Sequence, residues 1–329
     1  MPEHDRDLPD PPLRGIDAHA GAPAPNGNST PHLRPWEDTM QTPRRITIFD
    51  TTLRDGEQSV GVAFSPDDKV EIALALEQLG VDVIEAGFPA ASDGELEAVA
   101  AVATAVRDPI IAAMARATQG DVEAAAEALA SARRSRLHLV LGTSDIHREH
   151  KLRLRHDELI TLATRLTGYA SALFDEVEFC CEDASRSDPA FLQEVCAAVV
   201  DAGADILNLP DTVGRALPTE YGLLFRTIES PVPLSAHCHD DLGLATANSL
   251  AAVLAGADQI ECTINGIGER AGNAALEEVA TALELRDYTT GIDLNRLADV
   301  SRLVCDRTGY PVAPHKAIVG ENVRRNWLT

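Results

Sequence analysis

The sequence predicts a (β/α)8 barrel, also called a TIM barrel, in the α/β class. Short apolar runs rich in Val, Ile and Leu alternate with longer Ala/Leu/Glu segments of helical period. Such alternation is typical of a parallel sheet covered by helices, and eight units within about 240 residues fit a closed barrel better than an open sheet. No GxGxxG follows the first strand candidate, so the dinucleotide-binding fingerprint is absent there.

Each of eight strand candidates is followed by a helix candidate. The strand candidates span 45–52, 82–89, 110–116, 136–144, 176–183, 204–212, 233–241 and 259–268. The helix candidates span 66–79, 94–106, 120–133, 156–172, 188–202, 217–228, 243–255 and 272–285. Two helices are predicted to begin with a capping residue and a proline in the first helical position, Ser65-Pro66 and Asp188-Pro189.

Three regions are expected along the chain. Residues 1–43 hold nine of the 19 prolines and little apolar periodicity, which predicts a disordered proline-rich leader. Residues 44–286 form the predicted catalytic barrel, and 287–329 a short C-terminal helical extension.

Composition excludes several classes of partner. The 329 residues contain 28 Lys+Arg and 52 Asp+Glu, a net charge of −24, which disfavours nucleic acid and anionic membrane surfaces. No run approaches the ~20 apolar residues of a membrane span. The N-terminus resembles neither a signal nor a transit peptide, and the six cysteines show no CxxC spacing. These features predict a cytoplasmic protein with reduced thiols.

Polar residues collect where the strand candidates end, which is where barrel enzymes place their active sites. In the seventh strand candidate, His237 and His239 share one face because side chains alternate along a strand. Two imidazoles with a nearby carboxylate, for which Asp55 is suitable, could hold a divalent metal; the alternative is two unrelated polar residues. Arg54 could stabilise negative charge on a substrate oxygen or form a surface ion pair. The glycine-rich loop NGIGERAGN places Asn273 at the edge of this site, or is a plain turn.

Several long motifs occur in order between residues 45 and 322 and touch all eight strand candidates. They are FDTTLRDGEQ, GVDVIEAGFP, TSDIHREHKLR, VEFCCEDASR, LPDTVG, HCHDDLGLATANSLAAVLAGA, INGIGERAGNAALEEV and PVAPHKAIVGEN. Together they closely resemble the α-isopropylmalate synthase branch of the metal-dependent enzymes that condense acyl-CoA with 2-oxo acids. That superfamily also holds homocitrate and citramalate synthases and hydroxymethylglutaryl-CoA lyase.

The resemblance implies a Claisen-type condensation of acetyl-CoA with a 2-oxo acid, giving a 2-alkylmalate and free CoA, in a homodimer. It implies that a divalent metal (Mg²⁺, Mn²⁺ or Zn²⁺) is held by Asp55, His237 and His239, with Asn273 in or near the coordination sphere. It assigns catalytic roles to Arg54 and Glu182. Positions that line the oxo-acid pocket in relatives are matched by Gln58, Glu85, His147, Cys180 and Thr212.

Two departures from the family pattern bear on substrate and mechanism. The fifth strand candidate reads Cys180-Cys181-Glu182 where relatives generally have Ser-x-Glu, and Glu178 stands where lysine-pathway homocitrate synthases place an Arg for 2-oxoglutarate. The thiol is either a tolerated replacement or a change in the pocket. Relatives continue into a HxSGIH stretch that supplies the catalytic base, and this sequence ends before it.

Three hypotheses remain open at this stage. The first is the synthase. Its base is then missing because the chain is an incomplete piece, or is supplied by a second polypeptide or by another residue, His147 and His315 being the internal candidates. The second is a lyase that cleaves an acyl-CoA on the same scaffold, although the loop after Cys262 is of the synthase type. The third is a subunit that is inactive or depends on a partner.

Overall fold

Eight parallel strands close into a barrel in the computed structural model, which describes residues 43–326. The strands are β1 (Arg44–Arg45), β2 (Thr47–Asp50), β3 (Val83–Glu85), β4 (Ile110–Arg116), β5 (Ser135–Gly142), β6 (Glu176–Glu182), β7 (Ile206–Asn208), β8 (Leu234–His237), β9 (Gln259–Cys262) and β10 (Tyr288–Thr289), of which β2–β9 form the barrel. Each barrel strand pairs with the next along the chain, and β9 pairs with β2 over four residues to close the ring.

A helix follows every barrel strand, so the predicted (β/α)8 barrel is confirmed. Ser65 caps the first helix by accepting a hydrogen bond from Asp68 N, and Asp188 caps the fifth by accepting one from Phe191 N. Both predicted caps are therefore present, each followed by proline. The helices are α1 (Pro66–Leu79), α2 (Asp93–Ala105), α3 (Gln119–Ala128), α4 (His156–Ala170), α5 (Pro189–Asp201), α6 (Pro218–Thr227), α7 (Ala245–Ala255), α8 (Leu276–Glu284), α9 (Leu297–Thr308) and α10 (Glu321–Asn326).

Most of the strand candidates extend beyond the observed strands. The last candidate, 259–268, is a strand only over Gln259–Cys262, and the third helix ends at Ala128 rather than at 133. The residues after the strands make turns and short helices at the barrel mouth, where their polar side chains face a cavity instead of pairing with a neighbouring strand. Apolar residues occur both in the strands and in the turns that follow them, so their pattern in the sequence does not mark where a strand ends.

The segments flanking the barrel pair with each other. β1 lies parallel to β10, and α9 packs against α1. The expected proline-rich leader lies outside the described residues, apart from Pro43. No helix within 43–326 is long and apolar enough to span a membrane.

The barrel interior holds an apolar and a polar group of side chains. Phe49, Val83, Ile110 and Ala112 form a small apolar cluster. Arg136, near the start of β5, forms ion pairs with Glu176 and Glu178 and donates a hydrogen bond to Gln259. These polar groups carry almost no exposed surface, apart from Glu176, and so must satisfy one another.

A buried lysine ties the turn after β2 to the segment after β3. Lys69 of α1 has no exposed surface, and its Nζ lies 2.8 Å from Glu57 Oε2 and 2.7 Å from Glu95 Oε1. The same Nζ donates a hydrogen bond to Ala86 O at 3.2 Å. Glu57 also accepts a hydrogen bond from Phe64 N, so the whole turn is fixed against α1.

We expect Lys69→Met to destabilise the protein by about 3 kcal/mol, because it leaves two largely buried carboxylates without their shared cation. Urea unfolding followed by circular dichroism would measure the change. The control is Arg302→Met, since Arg302 and its partner Asp299 are both exposed and such pairs contribute less than about 1 kcal/mol. Equal losses in the two variants would contradict the role given to Lys69.

Candidate active site

A cluster of two histidines and one carboxylate lies at the barrel mouth. β8 ends at His237, and His239 follows in an isolated bridge to Asn273, so both imidazoles face inward as the alternation predicted. Asp55 comes from the turn after β2. The Nε2 atoms of His237 and His239 lie 3.8 and 3.4 Å from Asp55 Oδ2, and one ligand atom from each of the three residues lies within 4.8 Å of the others.

The protonation states of this cluster suit a cation. Burial raises the pKa of Asp55, but Arg54 and His239 outweigh it and hold that pKa well below its usual range. Burial lowers the pKa of His237 to about 4, so its imidazole is neutral at neutral pH. An ionised carboxylate and a neutral imidazole are the forms that bind a metal.

The surroundings of the cluster also fit a metal ion. Asn273 Nδ2 donates hydrogen bonds to Asp55 Oδ1 at 2.8 Å and to Ile267 O at 3.1 Å, whereas its Oδ1 is buried without a hydrogen-bond partner. An unsatisfied buried oxygen costs free energy unless it finds a ligand. Gly268 makes this approach possible, because a Cβ on it would lie 2.1 Å from Asn273 Nδ2. Two imidazoles, a carboxylate and an amide oxygen match the ligands of a divalent metal.

Arg54 is clamped between two carboxylates. Its Nε donates to Glu85 Oε2 at 2.7 Å and its Nη1 to Asp55 Oδ2 at 2.9 Å. Thr51 Oγ1 also donates to Glu85 Oε2, at 2.6 Å. Burial raises the pKa of Glu85, but Arg54 and His138 outweigh it and lower that pKa to about 2. Glu85 is therefore an anion beneath Arg54, fully buried rather than lining the cavity.

A series of buried polar side chains connects the Arg54–Glu85 pair to the Asp55–His237–His239 cluster. His138 Nδ1 lies 2.7 Å from Glu85 Oε1, and His138 Nε2 lies 3.9 Å from Glu261 Oε1. Glu261 Oε2 lies 3.0 Å from His237 Nδ1, on the far side of that imidazole from Asp55. Asn208 also donates to Glu261. Sequence analysis missed His138 and Glu261, although inward alternation along β5 and β9 marks both as interior polar residues.

The cluster opens into a cavity of about 500 Å³. Met114, Val140 and Leu152 supply apolar wall. Of the residues predicted for the site, the cavity wall includes Arg54, Asp55, Gln58, Cys180, Glu182, Thr212, His237 and His239.

Three of the remaining predicted residues lie beside the cavity rather than on its wall. Asn273 and Glu85 are described above, and His147 lies behind Glu182, with its Nε2 3.8 Å from Glu182 Oε1 and its Nδ1 3.3 Å from Asp183 Oδ2. His315 is exposed and is not part of the cavity wall. Between the two internal candidates for a base, only His147 is close to the site.

Glu182 and Cys180 are the inward-facing residues at the end of β6. Both oxygens of Glu182 accept hydrogen bonds from Lys151 Nζ, at 2.9 and 2.8 Å. Burial raises the pKa of Cys180 to about 11, so its side chain is a neutral thiol at physiological pH. Cys180 therefore contributes shape and a weak donor, not a nucleophile.

A model of the HMGL-like family matches residues 45–304. The chain belongs to the HMGL-like family. Among curated relatives, it is 54% identical over 293 residues to 2-isopropylmalate synthase 1 of Caldanaerobacter subterraneus, covering 86% of this chain and 74% of that protein. It is 53% identical to the 2-isopropylmalate synthase of Pyrococcus abyssi, covering 85% of this chain and 60% of that one. For the Neisseria meningitidis enzyme, the identity is 48% and the shares are 86% and 57%. The chain thus spans about three fifths of the length of most of these relatives.

Solved structures of hydroxymethylglutaryl-CoA lyases share the fold. Hydroxymethylglutaryl-CoA lyase from Pseudomonas aeruginosa superposes with a TM-score of 0.74 at 21% identity, covering 86% of this chain and 99% of that one. The HMG-CoA lyase of Bacillus subtilis gives a TM-score of 0.72 at 21% identity, covering 87% and 100%. At this identity the likeness concerns the barrel alone.

The buried His138 makes the stability of the metal-free protein depend on pH. Burial lowers the pKa of His138, but Glu261 and Glu85 outweigh it and raise that pKa well above the ordinary value. The contribution of the charged imidazole to stability is fully present below pH 6.5, and it is lost as the pH rises through the higher folded-state pKa. We therefore expect the urea midpoint of metal-free protein to fall less between pH 6.5 and 9.5 in His138→Gln than in the unsubstituted chain.

The matched control is His156→Gln, because the side chain of His156 is half exposed. We expect its fall in urea midpoint over the same pH range to equal that of the unsubstituted chain. An equal pH dependence in His138→Gln would show that His138 is not held as a cation.

Proposed function

We propose that this chain carries out the Claisen condensation of acetyl-CoA with a 2-oxo acid, in the manner of a 2-isopropylmalate synthase. The observation that carries the proposal is the Asp55–His237–His239 cluster, which lies beside Arg54 in a cavity of a chain 54% identical to such a synthase. The product would be a 2-alkylmalate together with free CoA. 2-Isopropylmalate itself would require 3-methyl-2-oxobutanoate as the oxo acid.

Asp55, His237 and His239 would hold the divalent metal, with Asn273 Oδ1 as a further ligand. Mg²⁺, Mn²⁺ and Zn²⁺ are the candidates. When bound, the ion supplies a Lewis acid that polarises the keto group and orients the 2-oxo acid. The neutral imidazole of His237 and the ionised carboxylate of Asp55 are ready to bind it without first losing a proton.

Arg54 supplies a fixed positive charge at the reacting centre. Its Nε and Nη1 are engaged by Glu85 and Asp55, whereas its Nη2 makes no hydrogen bond to the described residues. Nη2 can donate to the keto oxygen as attack at the keto carbon makes it an alkoxide. The clamp holds the guanidinium in place before the substrate arrives, so little reorganisation is needed.

The remaining steps are two proton transfers, the formation of one carbon–carbon bond and the hydrolysis of the thioester. A base takes one proton from the methyl group of the acetyl thioester, the resulting carbanion bonds to the keto carbon, and the alkoxide gains a proton. Water then hydrolyses the thioester and releases CoA. Glu182 is one of the carboxylates on the cavity wall, and it can accept a proton at Oε1 or Oε2, while Gln58, Thr212 and Cys180 are placed to contact the oxo acid.

The synthase is favoured over the lyase because the relatives at about half identity are 2-isopropylmalate synthases, and the lyases match at only 21–22%. A homodimer and a cytoplasmic location stay predictions of the sequence. So does the supply of a catalytic histidine by a second subunit.

Purified protein with Mg²⁺ or Mn²⁺, acetyl-CoA and 2-oxo acids should release free CoA, detected with a thiol reagent. We expect Arg54→Gln to lower kcat by about 100-fold or more, because the charge that stabilises the alkoxide is lost. Arg302→Gln, which removes an exposed arginine on α9, is the control and should leave kcat unchanged.

The assay also separates the alternatives. Cleavage of a hydroxyacyl-CoA without any release from acetyl-CoA would replace the synthase by a lyase. Release that requires a second polypeptide would indicate a partner-dependent subunit.

Glu261 should control how tightly the metal is held, because a carboxylate behind a ligating imidazole orients the ring and raises its basicity. We expect Glu261→Gln to weaken metal affinity about 10- to 100-fold, measured by titration with a metal-sensitive dye. Glu178→Gln is the matched control: Glu178 is equally buried but contacts Arg136 and Gln259 instead of a histidine. Similar metal affinities in the two variants would show that Glu261 does not act through His237.

A further inference from the structure

One short segment reverses the charge of an otherwise acidic protein. Residues 147–155 contain four Lys or Arg and a single acidic residue, giving +3 in a chain whose net charge is −24. The rest of the chain therefore carries −27. We call residues 148–155 the cationic rim.

The cationic rim lies at the entrance of the active-site cavity. It begins in a single helical turn, His147–Leu152, that follows β5, and both Lys151 and Leu152 form part of the cavity wall. Leu154 N donates to Arg148 O at 3.1 Å, and Arg148 Nη1 donates back to Leu154 O at 3.2 Å. These two bonds close the rim into a fixed loop.

Alternation along the rim turns its cations outward. Leu152 and Leu154 pack against the core, while Lys151, Arg153 and Arg155 between and beside them are exposed. Arg153 has a left-handed backbone with φ of 57°, which is unusual for a residue with a side chain.

One side chain of the cationic rim is unpaired. Arg155 pairs with Asp157 and Glu158, and Lys151 with Glu182, whereas the guanidinium of Arg153 has no hydrogen bond or ion pair to any residue in 43–326. A side-chain cation with no partner among these residues is available to an anion from solution.

The cavity is too small for the whole of the cosubstrate. About 500 Å³ accommodates an oxo acid and the thioester end of acetyl-CoA, so the nucleotide end with its diphosphate and 3′-phosphate must lie outside. The rest of the chain, with a net charge of −27, disfavours binding of such a polyanion, whereas the rim carries +3. At the end of the neighbouring strand β4, Arg116 also contributes to the cavity wall, with 61% of its side chain exposed.

We propose that the cationic rim docks the phosphates of the acyl-CoA, with Arg153 and Arg155 as the main contacts. This inference rests on the proposed function, since it assigns the docking place of its cosubstrate. The rim would raise the local concentration of acyl-CoA and direct its thioester end past Lys151 into the cavity.

The test uses the double variant Arg153→Gln/Arg155→Gln. We expect its KM for acetyl-CoA to rise about five- to tenfold, as for the loss of two exposed charge contacts, while kcat, the KM for the oxo acid and the metal content stay unchanged. With acetyl-pantetheine, which lacks all three phosphates, variant and unsubstituted chain should not differ. The control is Arg286→Gln/Arg302→Gln, which removes the same charge from exposed positions at the end of α8 and on α9.

Calorimetric titration with CoA, dephospho-CoA and ADP separates this inference from the proposed function. Weaker binding of CoA to the rim variant than to the unsubstituted chain would support the docking site. It would do so even if no oxo acid yielded free CoA, because that second result would overturn only the synthase. Weaker binding of ADP as well as CoA assigns the rim to the diphosphate, and an effect on CoA but not on dephospho-CoA assigns it to the 3′-phosphate. The docking site would be overturned if both proteins bound CoA with equal affinity. It would also be overturned if the substitutions raised KM for acetyl-pantetheine as much as for acetyl-CoA.

Discussion

Two buried carboxylates share one guanidinium at the barrel mouth, and the rest of the site depends on that arrangement. Glu85 and Asp55 have almost no exposed surface, so each must be compensated within the protein. Arg54 compensates both and is thereby fixed, with one edge of its guanidinium still directed to the cavity. The positive charge of Arg54 thus has two roles. It compensates the buried carboxylates, and it lies where the proposed reaction needs a cation. This explains why a turn residue, ordinarily mobile, can be held in place before any substrate is bound.

The interior residues of the barrel divide by position. Phe49, Val83, Ile110 and Ala112 form an apolar cluster, Arg136, Glu178 and Gln259 contact one another toward the amino ends of their strands, and the mouth holds Asp55, His237 and His239. His138 and Glu261 follow Arg136 and Gln259 on the same strand faces and contact Glu85 and His237. A polar interior of this kind is costly unless every group is paired, and the pairing also fixes the orientation of the imidazoles above it. Glu178, at a position where some relatives bind a substrate carboxylate, is committed to Arg136 and Gln259 here.

The sequence was sufficient to predict the barrel, both proline-containing caps and the inward direction of His237 and His239, because each follows from local periodicity or a local hydrogen bond. The approach of Asp55 to those histidines followed from the barrel topology and from the family resemblance. The partners of Glu85 and His237 could not be predicted, because His138 and Glu261 contact them from other strands and a single strand's pattern carries no information about its neighbour's register. The strand candidates were too long for a related reason. Residues such as those after Cys262 stay apolar or glycine-rich although they form turns over the barrel mouth.

The Asp55–His237–His239 cluster joins the beginning of the barrel to its end. Asp55 follows β2, His237 ends β8 and His239 follows it, and β9 is the strand that lies between β8 and β2. The three side chains therefore meet only after β9 has paired with β2 and completed the ring. An open chain with seven strands in place would present the histidines and the carboxylate on separate edges. Metal binding at this cluster would thus require a closed barrel, and a bound ion would stabilise the closed form.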